Sequence, residues 1–447
     1  MYILYSAVAL AIAVLASPWF LYQALRHGKY VGTLGPRLGY LPVSFNVDGD
    51  ESIWIHAVSV GEVLTARPLI ADLKRRYPDL RLFLSTTTLS GQQLARRGVA
   101  DADAVFYFPF DLPFVVRRTL DLVKPRLFVM METEIWPNLL RECRRRGVKT
   151  AIVNGRLSPR SLSRYGMVRP FMRRVLGDID RYCVQSEEAA RRFIDLGANP
   201  GHVVVTGSLK FDSLNVPSSP VQARARDRVL RYFRVPPSRP VLVAGSTVKG
   251  EEASLLRAFR RLRSANTNVL LVLAPRHPER FGEVDDLCRA EGWKVASRSD
   301  LAIDVEPRVD VVVLDTIGEL ATLYQIGTVV FVGGSLVNVG GHNILEPAVF
   351  GKPIVFGPHM ENFVEIAEAF VTNGAGVQLT NERDLDDTLV SLVGDPVRRA
   401  RLGAAARALV EANRGANAKS VAVLADLYPQ RQAIAYPANV RPFRPLA

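Results

Sequence analysis

Gly333-Gly334-Ser335-Leu336-Val337-Asn338-Val339-Gly340-Gly341-His342-Asn343-Ile344-Leu345-Glu346-Pro347 is the stretch on which the reading of this chain turns. The apolar run Thr328–Val332 before it reads as a buried strand, and a short helical stretch and a second apolar run, Pro353–Phe356, follow it. It is therefore a glycine-rich turn at the carboxyl end of a strand, feeding a helix start. Glycine lets backbone come close to a ligand, and the unpaired N–H groups of a helix start attract anions. Glu346, in the first helical turn, is placed to hold a ribose. A tight turn with no ligand fits the same residues, so the neighbouring strand ends decide.

Those neighbours repeat the pattern. Ser52–Ala57, Arg81–Thr86, Ala104–Phe108, Arg126–Met131, Thr150–Val153, Arg181–Gln185 and Val203–Thr206 are short β-rich runs separated by helical segments. Val241–Ser246, Val269–Ala274, Trp293–Ala296, Val311–Leu314, Thr328–Val332, Pro353–Phe356 and Gly376–Leu379 form a second such series. Strand–helix alternation implies a parallel sheet covered by helices on both faces. A break rich in proline and serine, with Pro217, Ser218, Ser219, Pro220, Pro236, Pro237 and Pro240, separates the two series. The expectation is an α/β chain with two Rossmann-like domains, 26–213 and 214–427, facing a cleft into which strand carboxyl ends point. The Ala-rich helical segment Arg398–Leu427 has the length to pack back on the first half, and 428–447, with four prolines, reads as an irregular tail.

Met1–Leu25 carries no charged side chain, and about 20 of its residues are apolar enough for a membrane helix. Arg26, His27, Lys29 and Arg37 follow, which puts the remainder of the chain on the cytoplasmic side. Segment 1–25 is thus expected to be a membrane-anchor helix, fully spanning or, because of Pro18, monotopic; an ordinary buried helix of a soluble domain is the alternative. The net charge of +13 is uneven: residues 26–212 hold 29 Lys+Arg against 19 Asp+Glu. A basic half beside an apolar N-terminus suits anionic lipid. No helix-turn-helix, zinc-finger or RNP-like motif points to nucleic acid. Cys143, Cys183 and Cys288 are far apart, and the six histidines form no HxH or HxxxH pair, so neither a disulfide framework nor a metal site is expected.

Five further strand ends carry candidate chemistry. Ser59-Val60-Gly61-Glu62 opens a helix, where Glu62 is either a cap or a general base. Met131-Glu132-Thr133-Glu134-Ile135-Trp136-Pro137 places two carboxylates in one turn, for a site or for capping. Gly207-Ser208-Leu209-Lys210-Phe211-Asp212 offers Lys210 to a developing negative charge, or simply to solvent. Ala274-Pro275-Arg276-His277-Pro278 fixes Arg276 in a turn where its fork can take a phosphate. Thr316-Ile317-Gly318-Glu319 is another such end on the second sheet. An arginine run (156, 160, 164, 169, 173, 174) is a solvated face or a surface for lipid head groups.

Taken together, Ser59–Glu62, Met131–Asn138, Gly155–Ser158, Thr206–Asp212, Ala274–Arg280, Gly318–Gln325, Gly333–Pro347 and Phe356–Phe363 resemble, in number and order, the bacterial 3-deoxy-D-manno-octulosonic acid (Kdo) transferases of lipopolysaccharide biosynthesis. The resemblance runs from the N-terminal segment to about Leu427. It implies a GT-B glycosyltransferase fold and an inverting, metal-independent transfer needing no cofactor. The donor it implies is CMP-Kdo, and the acceptor the lipid A precursor at the cytoplasmic face of the inner membrane. It places Glu62 on the catalytic base, and Glu132 and Lys210 on positions that stabilise the transition state. Pro275 and Arg276, Ile317, Gly318 and Glu319, and Asn343, Ile344, Leu345 and Glu346 fall on its CMP-binding segments. The chain departs from the family pattern at Gly245–Glu252, where Val248-Lys249 replaces a usual His-Glu, and at Thr88-Leu89-Ser90-Gly91. The other readings are a lipid-directed GT-B enzyme with a UDP-sugar donor, a non-catalytic nucleotide-sugar or lipid binder, and a basic scaffold.

Overall fold

The computed structural model describes residues 1–27, 32–42, 45–46, 48–214, 220–266 and 268–428. The expected tail from residue 429, the breaker residues 215–219 and Lys29 lie outside the described residues. The chain divides into two compact units. One comprises residues 1–213 with the chain from Arg414 onward, the other Leu214–Asn413.

The first unit is built on β1 (Ser52–His56), β2 (Arg81–Thr86), β3 (Ala104–Tyr107), β4 (Pro125–Met131), β5 (Lys149–Gly155), β6 (Arg181–Val184) and β7 (Val203–Val205). They form one sheet in the order β3-β2-β1-β4-β5-β6-β7, with every pair parallel. Because side chains alternate across a strand, each strand feeds both faces. Trp54, Phe83 and Phe128 are level in register and pack on one face, with Trp54 and Phe128 ring centroids 4.6 Å apart. Ile53, Ile55, Leu82, Leu84, Leu127 and Val129 fill the other face. All are buried, which is why these strands read as continuous apolar runs.

The second unit repeats the scheme with β8 (Val241–Thr247), β9 (Leu270–Pro275), β10 (Val295–Ser297), β11 (Val311–Val313), β12 (Val329–Val332), β13 (Ile354–Phe356) and β14 (Val377–Gln378). Its order is β10-β11-β9-β8-β12-β13-β14, again parallel. In each sheet the chain runs outward on one side of a central strand and then returns to the other side. The resulting switch points, β1/β4 and β8/β12, are where connections diverge and leave a crevice at the strand ends. The helix Ala416–Leu427 belongs to the first unit. Asp212 caps it, accepting from Gly415 N at 2.8 Å and Asn417 N at 2.7 Å, and its Ala416 and Leu424 enter the first unit's core.

The N-terminal helix, Tyr2–His27, departs from the expected membrane span: among the described residues no helix is long and apolar enough to cross a membrane. Its first two turns belong to the globular unit instead. Tyr2 donates to Asp178 at 2.7 Å, Tyr5 to Asp111 at 2.9 Å and Ser6 to Asn138 at 3.0 Å. From Ala7 the uninterrupted apolar stretch reaches only Ala16 before Ser17 and Pro18. Ten residues make about 15 Å of helix, half of a bilayer's hydrocarbon core. Within it Val8, Ile12, Val14 and Leu15 are exposed.

Candidate active site

In the first unit the switch point brings together the ends of β1 and β4. After β1 the chain turns into the helix Val60–Arg76, with Ser59 as its N-cap. Glu62 sits in the first turn and folds back: its carboxylate accepts from Val58 N at 2.8 Å and from the Ser59 hydroxyl at 3.0 Å. Those bonds favour the charged form. Burial opposes them, and so do the like charges of Glu132 and Glu134, leaving the Glu62 carboxyl pushed up to about 7. A carboxylate titrating there accepts a proton near neutral pH, which general-base catalysis requires.

The acid loop after β4 is held in strained backbone. Glu132 has φ 58°, and its N–H still pairs with Val153 O at 2.9 Å. A non-glycine residue in the left-handed region costs about 1–3 kcal/mol, a strain that collects at functional sites. Arg156 holds the Glu132 carboxylate at 2.7 Å. Glu134 accepts from Trp136 Nε1 at 3.0 Å, and the fully buried His56 Nε2 lies 3.7 Å from the same oxygen. Asn154, with φ 59° at the end of β5, accepts from Leu209 N at 3.0 Å and so fixes the turn that carries the half-buried Lys210.

In the second unit the glycine-rich loop behaves differently from its sequence reading. The N–H groups of Gly334, Ser335 and Leu336 are taken by a residue of the chain itself. They donate to the Glu251 carboxylate at 2.7, 2.9 and 2.9 Å, and Val248 N adds a fourth bond at 3.0 Å. Glu251 is fully buried. Burial pushes its carboxyl upward against the four N–H bonds that favour the anion. Gly333 leaves room for this contact, since a Cβ there would stand 2.8 Å from Glu251 Oε2 and 2.7 Å from Ser246 O. Gly334, at φ 67°, passes under the His342 ring.

Further along, Asn343 brackets the short helix Leu345–Ala348. Its Oδ1 accepts from Leu345 N at 3.1 Å and its Nδ2 donates to Glu346 at 3.3 Å. Ile344 and Leu345 point into the core, so only their backbone can meet a ligand. Burial raises the Glu346 carboxyl, with Asn343 and the charge of Arg276 acting against it. His342 donates from Nδ1 to Gly333 O at 2.9 Å, and burial with Arg276 nearby holds it below its usual value, in the neutral form. Arg276 is exposed and pinned at its own N–H, which donates to Thr247 O at 2.8 Å, while Pro275 before it is buried. Arg276, Glu346, His342 and Tyr324 thus interact around the end of β8, where Ser246 has φ 57°. Ile317 is exposed at a loop tip, whereas the Glu319 carboxylate is held by the buried Arg298 at 2.8 and 3.0 Å and by the Thr316 hydroxyl at 2.8 Å.

The sequence reading had not singled out His56, Asn154, Glu251 or Arg298. A polar residue at the end of an otherwise apolar strand signals the first two. Among the described residues no group of three or more His, Cys, Asp or Glu is arranged to hold a metal ion.

The family model described as 3-Deoxy-D-manno-octulosonic-acid transferase (kdotransferase) matches residues 33–213, and that of the glycosyl transferases group 1 matches 247–409. The chain is 36% identical over 394 residues to the 3-deoxy-D-manno-octulosonic acid transferase of Haemophilus influenzae, covering 88% of this chain and 91% of the relative. It belongs to the Kdo transferase family. It is a glycosyltransferase, and the Bordetella pertussis Kdo transferase is likewise 36% identical, over 84% of this chain and 87% of that one. In fold, the chain is similar to UDP-GlcNAc 2-epimerase from Neisseria meningitidis, with TM-score 0.58 at 12% identity over 84% of this chain and all of that one. The pair of parallel α/β sheets is a GT-B-like architecture.

Proposed function

We propose that the chain transfers Kdo from CMP-Kdo to the lipid A precursor with inversion, Glu62 acting as general base. The observation that carries this reading is the Glu62 carboxyl, pushed up to about 7 at the β1/β4 switch point. In the step, Glu62 takes the proton of the acceptor hydroxyl as its oxygen bonds to the anomeric carbon. The bond from that carbon to the CMP phosphate oxygen breaks, and the electron pair leaves with CMP. Arg276 and the segment Asn343–Glu346 meet the phosphate charge and the nucleotide, without a metal ion in the step. The backbone of Ile317–Glu319 serves the same nucleotide, its geometry locked by Arg298. Glu132 and Lys210 stabilise charge on the reacting sugar. The exposed apolar side chains of the N-terminal helix lie in the inner-membrane surface, on the cytoplasmic side where the acceptor is held.

Purified protein incubated with CMP-Kdo and the tetra-acylated precursor tests this by mass spectrometry of the lipid. Each mass gain of one Kdo residue supports the reading and counts the transfers. No gain, or inhibition by UDP in preference to CMP, refutes it.

A further inference from the structure

The helix Pro137–Arg145 begins immediately after the acid loop, and its N-cap residue, Trp136, makes no side-chain cap bond. The cap comes from elsewhere. Asp111, almost fully buried, accepts from Asn138 N at 3.0 Å and Leu139 N at 2.8 Å. The same carboxylate accepts from the Tyr5 hydroxyl at 2.9 Å. Asn138 is held twice more, by Asp111 O at 2.6 Å through its Nδ2 and by the Ser6 hydroxyl at 3.0 Å through its Oδ1. The N-terminal helix thus reaches, through one buried carboxylate, the helix start that carries Trp136. Trp136 in turn holds Glu134, whose charge acts on Glu62. Independently of this path, Tyr165 interacts electrostatically with both Tyr5 and Glu134.

We propose that Tyr5 is a positioning residue for the acid loop: through Asp111 it fixes the Pro137 helix start, and with it Trp136 and Glu134 beside Glu62. The N-terminal helix is then part of the catalytic unit as well as a contact with lipid. This rests on the Kdo-transfer reading above. A tether has no preference between its two tyrosine anchors, and the structure supplies a control. Tyr2 makes an equivalent bond, 2.7 Å to Asp178, and its ring packs on Phe171 as Tyr5 does, with centroids at 5.4 and 5.8 Å. Asp178 follows the helix Arg169–Leu176; among the described residues it accepts from the Thr150 hydroxyl and pairs with Arg144 at the far end of the Pro137 helix, not with that helix's start or with the acid loop.

The test uses the full-length enzyme with CMP-Kdo and the precursor in detergent micelles, where bilayer tethering contributes nothing. Tyr5→Phe is expected to lower kcat about tenfold, on the scale at which a ~1 Å misplacement costs about a hundredfold, with KM for CMP-Kdo unchanged. Tyr2→Phe should stay within about twofold of wild type, although both variants lose one hydroxyl–carboxylate bond and the same kind of stability. Asp111→Asn, of equal size, should fall at least as far as Tyr5→Phe. Wild-type kcat in Tyr5→Phe, or an equal fall in Tyr2→Phe, overturns the proposal. If the wild-type enzyme transfers no Kdo in micelles, the failure is that of the functional reading and not of the positioning role.

Discussion

Replacing Glu62 by glutamine should make the enzyme inactive and, at alkaline pH, more stable. The carboxyl is raised from its ordinary 4.5 to about 7, chiefly by burial and then by Glu132. Between those values the folded enzyme keeps a proton that the unfolded chain has released, so stability falls as pH rises through the window. The loss is absent below about 4.5 and complete above about 7. At ~1.36 kcal/mol per tenfold it amounts to about 3 kcal/mol. Glutamine carries no charge and escapes it, but gives up one of the two bonds to Val58 N and Ser59, about 1 kcal/mol. Glu62→Gln should therefore gain about 2 kcal/mol at pH 8 and lose about 1 kcal/mol at pH 4.5, read from urea midpoints at the two pH values. Transfer should drop by about 10²–10⁴, the contribution of a general base. In the wild type the rate should fall as pH drops through about 7, and Glu132→Gln should move that limb lower by removing a like charge. A Glu62→Gln enzyme that still turns over at wild-type rate, or that gains no stability at pH 8 relative to pH 4.5, refutes the reasoning.

The second unit gives two further expectations. Gly333→Ala puts a Cβ 2.7 Å from Ser246 O and Thr247 Cα, all on backbone that cannot give way cheaply, so it should destabilise by about 1–3 kcal/mol and weaken CMP binding, measured by denaturation and calorimetry. Arg298→Met leaves the Glu319 carboxylate without its buried partner, and should raise the CMP Kd about tenfold while leaving the Glu62 pH limb in place.

The sequence reading places a run at each of the fourteen strands of the described residues: burial on both faces writes the inner ones as short apolar runs, the edge strands Val203–Val205, Val295–Ser297 and Val377–Gln378 are less buried, and the turns between carry glycine, proline or a cap. It puts Glu132 and Arg276 directly after strands, and Glu62 and Glu346 in the first turns of the helices that follow, for the same reason. What periodicity does not carry is the partner of a backbone group. The N–H array at 334–336 looks the same in sequence whether it awaits a phosphate or holds a carboxylate, and Glu251 comes from 83 residues upstream. The N-terminal helix is another instance. Its composition suits lipid throughout, but Tyr2 and Tyr5 are tied to Asp178 and Asp111, 176 and 106 residues away. Those bonds draw its first turns into the globular unit and leave an apolar stretch too short to span.

Glu62 shows a different kind of gap. In sequence, capping and catalysis stand as alternatives for a carboxylate in the first turn of a helix. In the structure they are one arrangement. The cap bonds to Val58 N and Ser59 fix where the carboxylate points, and by themselves would lower its pKa below that of a free glutamate. A base so acidic would hold a proton poorly at neutral pH. Burial, with Glu132 and Glu134 close by, overrides the cap and brings the group to about 7. Glu132, at φ 58° at the end of the adjacent strand, supplies the second carboxylate, and Arg156 pairs with it at 2.7 Å. Orientation comes from the cap and basicity from the neighbours, so removing either one should spoil the base in a different way: loss of Ser59 through geometry, loss of Glu132 through the pH at which the base works.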